Sequence, residues 1–147
     1  MKQVHLVVGV ITIALWAITA VWGAWGWWRI DSSPWFWRLL RVAQVLTVVQ
    51  VALGGVLVAL GHKPPQLHLI YGVLPLLLSL IAEGLRAVSA QNVLDARGYE
   101  SAQAVGKQPP EEQRSVVLAI LRRELGVMTL AAVVIVVLLL RAAQTAH

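Results

Sequence analysis

Val4–Gly9 reads V-H-L-V-V-G, and Leu67–Gly72 reads L-H-L-I-Y-G. Each segment opens a long apolar run, and each sets a histidine four residues ahead of a glycine. Positions four apart share one face of a helix. His5 therefore lies on the same face as Gly9, and His68 on the same face as Gly72. A histidine with a bare patch one turn further in, presented twice at the start of an apolar helix, suits the gripping of something large and flat.

The runs that follow these segments set the fold class. The chain has 147 residues, of which 59% are hydrophobic and 13% charged. Soluble domains carry nearer a quarter charged residues. Apolar helices of about 20 residues cross a hydrocarbon core about 30 Å thick. Four such spans are expected, at about residues 4–27, 39–60, 67–85 and 125–140. The fold class is all-α: an integral membrane four-helix bundle, one transmembrane domain over residues 1–147, multi-pass in the cell inner membrane. The first run is too long for a signal-peptide core and ends in Trp and Arg rather than at a small-residue cleavage site, so it reads as a retained span. With no cysteine in the chain, disulfides and thiolate metal sites are excluded. The net charge of +5 is read as fixing topology beside the membrane, not as binding nucleic acid.

Between the spans the punctuation is clear. Trp22, Trp25, Trp27, Trp28, Trp35 and Trp37 cluster around the turn Asp31-Ser32-Ser33-Pro34, as in an interfacial aromatic belt. Pro34 suits the first turn of the second helix. Gln44 and Gln50 are the polar residues of that helix, and Gly54-Gly55 lies in its outer third, where a helix or a flat ligand can come close. Gly61–Gln66 is a short, stiff connection. Pro75 is expected to bend the third span, and Glu83 and Arg86 to pair near its end. The only long connection, about 89–124, shows no coherent domain. An amphipathic helix should start near Glu111 and Glu112, whose charge suits a helix N-terminus, and lie on the membrane surface before the fourth span begins.

Basic residues divide unevenly between the two sides. Arg29, Arg38, Arg41, Arg86, Arg97, Lys107, Arg114, Arg122 and Arg123 fall on one side, and Lys2, Lys63 and Arg141 on the other. The positive-inside rule puts the first group in the cytoplasm. Both termini then face outward, as do His5, His62, His68 and His147. Spans one and three run in the same direction, so His5 and His68 enter the membrane at similar depth.

Two neutral imidazoles from neighbouring helices can ligate a haem iron axially. Gly9 and Gly72 would clear the ring's slot, with Gly54 and Gly55 giving further room. Lys2, Lys63 or His62 would neutralise the propionates, and Tyr71 would stand near the rim. A zinc or copper site built from His5, His62 and His68 is a rival, as is plain helix packing. No serine–histidine–acid set or phosphate loop supports hydrolytic chemistry.

Several of these segments also resemble the haem A synthase family, whose members are built of two similar four-helix bundles. The counterparts are His5-Leu6-Val7-Val8-Gly9, Gln50-Val51-Ala52-Leu53-Gly54-Gly55, Lys63-Pro64-Pro65 and Leu67-His68-Leu69, in the family's order and spacing over roughly residues 3–86. The resemblance implies a haem held by a histidine pair near the outer face, with His5 and His68 as ligands. The chain also departs from the family pattern. Leu6 replaces an arginine, and the loop His62–Gln66 lacks the family's catalytic carboxylate. The expected function is therefore a b-type haem protein passing single electrons near the outer face. Its site would comprise His5, Gly9, Gly54, Gly55, Lys63, His68 and Gly72, with His5 and His68 on the iron. It would work alone, as a homodimer or in a larger respiratory complex, with a quinone or an external acceptor as electron partner. Two alternatives stand beside it: a non-catalytic accessory or assembly subunit, and a haem-handling protein.

Overall fold

A computed structural model describes residues 1–31 and 33–146; Ser32 of the first turn and the outer histidine His147 lie outside the described residues. Six helices follow one another: α1 (Lys2–Arg29), α2 (Pro34–Ala59), α3 (Gln66–Ala87), α4 (Ser89–Ala96), α5 (Ala102–Gly106) and α6 (Pro110–Gln144). Four of them, α1, α2, α3 with its continuation into α4, and α6, are long and apolar enough to cross a membrane. Exposed Val, Leu and Ile side chains are spread along all four. Water would not tolerate such a surface on this scale; lipid would.

The first three long helices match the expected spans because strong local signals bound them. Pro34 stands in the first turn of α2, where its missing N–H costs nothing. Gly61, with φ of 89°, turns the chain out of α2 in a conformation that glycine adopts without strain. Pro75 lies inside α3 without interrupting it, and its ring is buried.

Packing order places the site. α1 packs on α2 and α6, while α3 packs mainly on α6 and only lightly on α2. The bundle therefore runs α2–α1–α6–α3, with α1 and α3 on a diagonal and the α2–α3 seam the loosest. Trp16, Phe36, Leu40, Leu125, Met128 and Ile135 fill its centre, each at most 1% exposed. Small residues bring α1 close to α6. A Cβ at Gly23 would stand 2.5 Å from Thr129 Oγ1 and 2.7 Å from the Phe36 ring. One at Gly126 would stand 3.0 Å from Trp27. Small residues at helix seams are the usual device where lipid removes the hydrophobic drive for association.

Three differences from the sequence reading have physical causes. The helix expected to lie on the membrane surface is instead the first half of α6, continuous from Pro110 to Gln144. Arg122, Arg123 and Glu124 interrupt the apolar pattern, but all are good helix formers, so nothing stops the helix. At about 1.5 Å per residue its 35 residues reach about 52 Å, well beyond a hydrocarbon core. The long connection also folds. α4 and α5 pack on that projecting half through Val93, Leu94, Val105 and Val116, making a small second core. Arg97 and Tyr99 both bond to Glu112 of α6. The tryptophans divide as well. Trp22, Trp25, Trp28 and Trp35 are exposed, whereas Trp27 and Trp37 pack against the core.

Glu83 and Arg86 pair as expected, at 3.1 Å, and Arg41 of α2 joins them at 2.7 Å from Glu83. Gln44 donates to both Glu83 and Ser79. This cluster ties α2 to α3 at the end opposite His5 and His68. Glu83→Ala leaves two guanidinium groups facing each other with no carboxylate. The groups are partly exposed, so an ion pair alone would contribute under about 1 kcal/mol. Losing the shared acceptor of four hydrogen bonds should raise the cost to about 1–3 kcal/mol. Unfolding by a denaturing detergent checks this, with Glu83→Gln recovering part of the loss.

Candidate functional site

At the other end of the bundle, His5 of α1 and His68 of α3 meet across the diagonal. Their ring centres are 6.1 Å apart and their planes 68° from parallel. The two segments that begin the spans are thus brought together, at matched depth, as their sequences suggested.

The two rings are held differently. His68 Nδ1–H donates to the Ala142 carbonyl of α6 at 2.8 Å. That bond fixes the tautomer and leaves Nε2 with a free lone pair. An orienting partner of this kind is what metal-ligating histidines usually have. His5 has no such partner. Its Nδ1 is buried without a hydrogen bond, and its Nε2 lies 3.3 Å from the amide nitrogen of Gln50. The carbonyl oxygen of Gln50 is also buried and unpaired. Buried polar atoms are seldom left so, and here two occur side by side.

The glycines take their meaning from a register between antiparallel helices. A Cβ at Gly9 would stand 2.8 Å from the Gln50 amide, and one at Gly54 would stand 3.3 Å from the His5 ring. So His5 of α1 sits over Gly54 of α2, and Gln50 of α2 sits over Gly9 of α1. Each polar side chain occupies the gap left by the other helix's glycine. The space read from sequence as a ring slot at Gly9 and Gly54 holds Gln50 and His5. At Gly55 and Gly72 no atom comes within 4 Å of where a Cβ would be, so those two positions are open.

Lys63 is exposed in the connection at this same end. His62 turns to the Leu57 carbonyl, 3.1 Å from its Nδ1. Among the described residues no three metal-ligating side chains gather, so the zinc or copper site of His5, His62 and His68 is not assembled. Two residues that the sequence reading left out of the site stand at it. Gln50 touches His5, and Arg141 lies 5.8 Å from the Tyr71 ring. A polar residue inside an apolar span was the available signal for Gln50. Nothing in the sequence tied Arg141 to Tyr71. Two shallow depressions lie on the outward side of α1, along Gln3–Val8 and Ala17–Trp25. Each is walled by one helix, and neither includes the histidines.

The spacing of the two rings matches a pair of ligands on one metal ion, whereas the space beside them at Gly9 and Gly54 is filled. An imidazole nitrogen sits about 2 Å from a transition metal and about 1 Å from its own ring centre, so two in-line ligands stand about 6 Å apart. The observed 6.1 Å agrees. The rings make an edge contact, so shared ligation needs one ring to turn and the Gln50 amide to leave His5 Nε2. Comparison with protein-family models, with curated proteins and with solved structures gives no match to this chain.

Proposed function

We propose that this chain is a membrane-embedded b-type haem protein that transfers single electrons near the outer face of the cell inner membrane. The single observation that supports it is the pair of imidazoles from diagonal helices, 6.1 Å apart, one of them with Nε2 freed by its bond to the Ala142 carbonyl. Bound haem would supply a one-electron iron couple. The chain supplies the rest. The Ala142 carbonyl raises the basicity of His68 Nε2. Arg141, Lys63 and Lys2 give this end of the bundle the positive charge that propionates need. A quinone or an external acceptor would exchange the electron, with the chain acting alone, as a homodimer or within a respiratory complex. The likeness of the histidine segments to those of haem A synthases agrees with a haem-holding role. The missing carboxylate loop speaks against synthesis of haem A.

The rival reading is an accessory subunit whose helices only pack. It draws on Gly9 and Gly54, whose space is taken by Gln50 and His5. A reduced-minus-oxidised visible spectrum separates the two. The protein purified from haem-replete cells should show a sharp Soret band with resolved α and β bands. A colourless preparation that also fails to take up added hemin would end the haem reading in favour of the packing one.

A further inference from the structure

Away from the histidines, Ala17, Ile18, Val21, Trp22 and Trp25 line a shallow groove on the outward face of α1. At these spacings they form one stripe of the helix. Arg29 continues the stripe, four residues past Trp25 and in the last turn of α1. Its guanidinium carbon lies 4.4 Å from the centre of the Trp25 ring, and Trp28 meets that ring edge-on. The ion pairs of the described residues are Arg41–Glu83, Arg86–Glu83 and Arg97–Glu112. Arg29 is in none of them, although Asp31 follows closely in the chain, and its side chain is exposed. Stacking uses the face of a guanidinium and leaves its N–H donors for an acceptor such as phosphate.

We propose that this groove holds an acyl chain of an anionic glycerophospholipid whose phosphate is bound by Arg29. Length and charge both support that occupant. The rise from Ala17 to Arg29 is about 18 Å, and one leaflet of the hydrocarbon core is about 15 Å deep. A chain lying along the groove from mid-membrane therefore brings its phosphate to the guanidinium. The last carbonyls of a helix repel an anion, but those of Gly26 and Trp27 accept from the backbone N–H groups of Asp31 and Ile30. A choline lipid gains less, because its ammonium would meet the guanidinium that already covers a face of Trp25. Arg38 stands over Trp35 in a similar way, at 5.0 Å, but the groove does not extend to it. The site is independent of the haem reading.

The test offers the whole chain, in mild detergent, equal amounts of phosphatidylglycerol and phosphatidylcholine with the same acyl chains. Native mass spectrometry counts the lipid that stays bound. The wild type should retain one phosphatidylglycerol with about tenfold preference, the effect of one charge-assisted hydrogen bond. Arg29→Gln should abolish the preference, whereas Arg38→Gln should leave it intact. Ala17→Phe fills the groove without changing charge and should lower phosphatidylglycerol retention several-fold. Circular dichroism establishes that each variant keeps its helices. Equal retention of the two lipids by the wild type would overturn the proposal. So would an equal loss in Arg29→Gln and Arg38→Gln, which would assign the preference to the basic rim as a whole. If a helical Ala17→Phe retains phosphatidylglycerol as the wild type does, no chain lies in the groove and the proposal fails.

Discussion

Trp16→Ala should weaken the bundle by about 3–5 kcal/mol, the range for deleting a buried large aromatic. Trp16 is 1% exposed at the centre of the four long helices, and its indole N–H donates to Thr47 Oγ1 at 2.8 Å. Thr47 in turn donates to Ala43 O at 2.9 Å, so Trp16 links α1 to the backbone of α2 through one hydroxyl. The variant loses this link and opens a cavity that neighbours at 0–1% exposure, such as Leu40 and Ile135, are too tightly held to fill. Whole domains have a margin of only about 5–15 kcal/mol, so the loss is a large part of the total. Trp16→Phe isolates the polar component, keeping most of the ring but not the donor; it should cost about 1–2 kcal/mol, mostly the hydrogen bond. Reversible unfolding by sodium dodecyl sulfate against mild detergent gives both values. A Trp16→Ala loss below about 1 kcal/mol would mean that α1 and α2 are not joined at this residue.

The register that Trp16 helps to fix is also where sequence reading reached its limit. Apolar runs ending at Arg29, Pro34 and Gly61 bounded α1 and α2 well, because breakers and interfacial residues act locally. The matched depth of His5 and His68 followed from two parallel helices that start alike. The meeting of Gln50 with Gly9, and of His5 with Gly54, did not. It depends on how α1 slides along α2, which Trp16, Thr47 and the short connection settle together and no single segment encodes. The same holds for α6. Arg122, Arg123 and Glu124 read as the edge of a membrane, which they can be, but a charge triplet does not end a helix. Its first half gains its partners from Val93, Leu94 and Val105, residues too sparse to announce a core by pattern. The anchor of His68 was out of reach too, because its acceptor is a main-chain carbonyl 74 residues away.

Cysteines placed at Lys63 and at Gln103 should respond oppositely to a membrane-impermeant maleimide applied to spheroplasts: position 63 labelled, position 103 protected until the membrane is broken. The chain has no cysteine of its own, so each probe stands alone, and both positions are exposed. Gln103 lies in α5, beside the small second core that α4 and α5 build against α6. That end of the bundle holds nine of the twelve Lys and Arg residues. Such an excess in short loops is retained on the cytoplasmic side. Exposed Trp25 and Trp35 lie on the same side, with Arg29 and Arg38 stacked on them at 4.4 and 5.0 Å. Amphipathic rings and cations of this kind hold a helix end at headgroup depth. Lys63 lies at the opposite end, in the connection just before His68, so its accessibility reports the side on which the histidine pair opens. The expected contrast is close to all-or-none. If position 103 labels in intact spheroplasts and position 63 does not, the pair faces the cytoplasm. Under the proposed function, the electron partner would then be cytoplasmic rather than external, with the spacing of the two imidazoles unchanged.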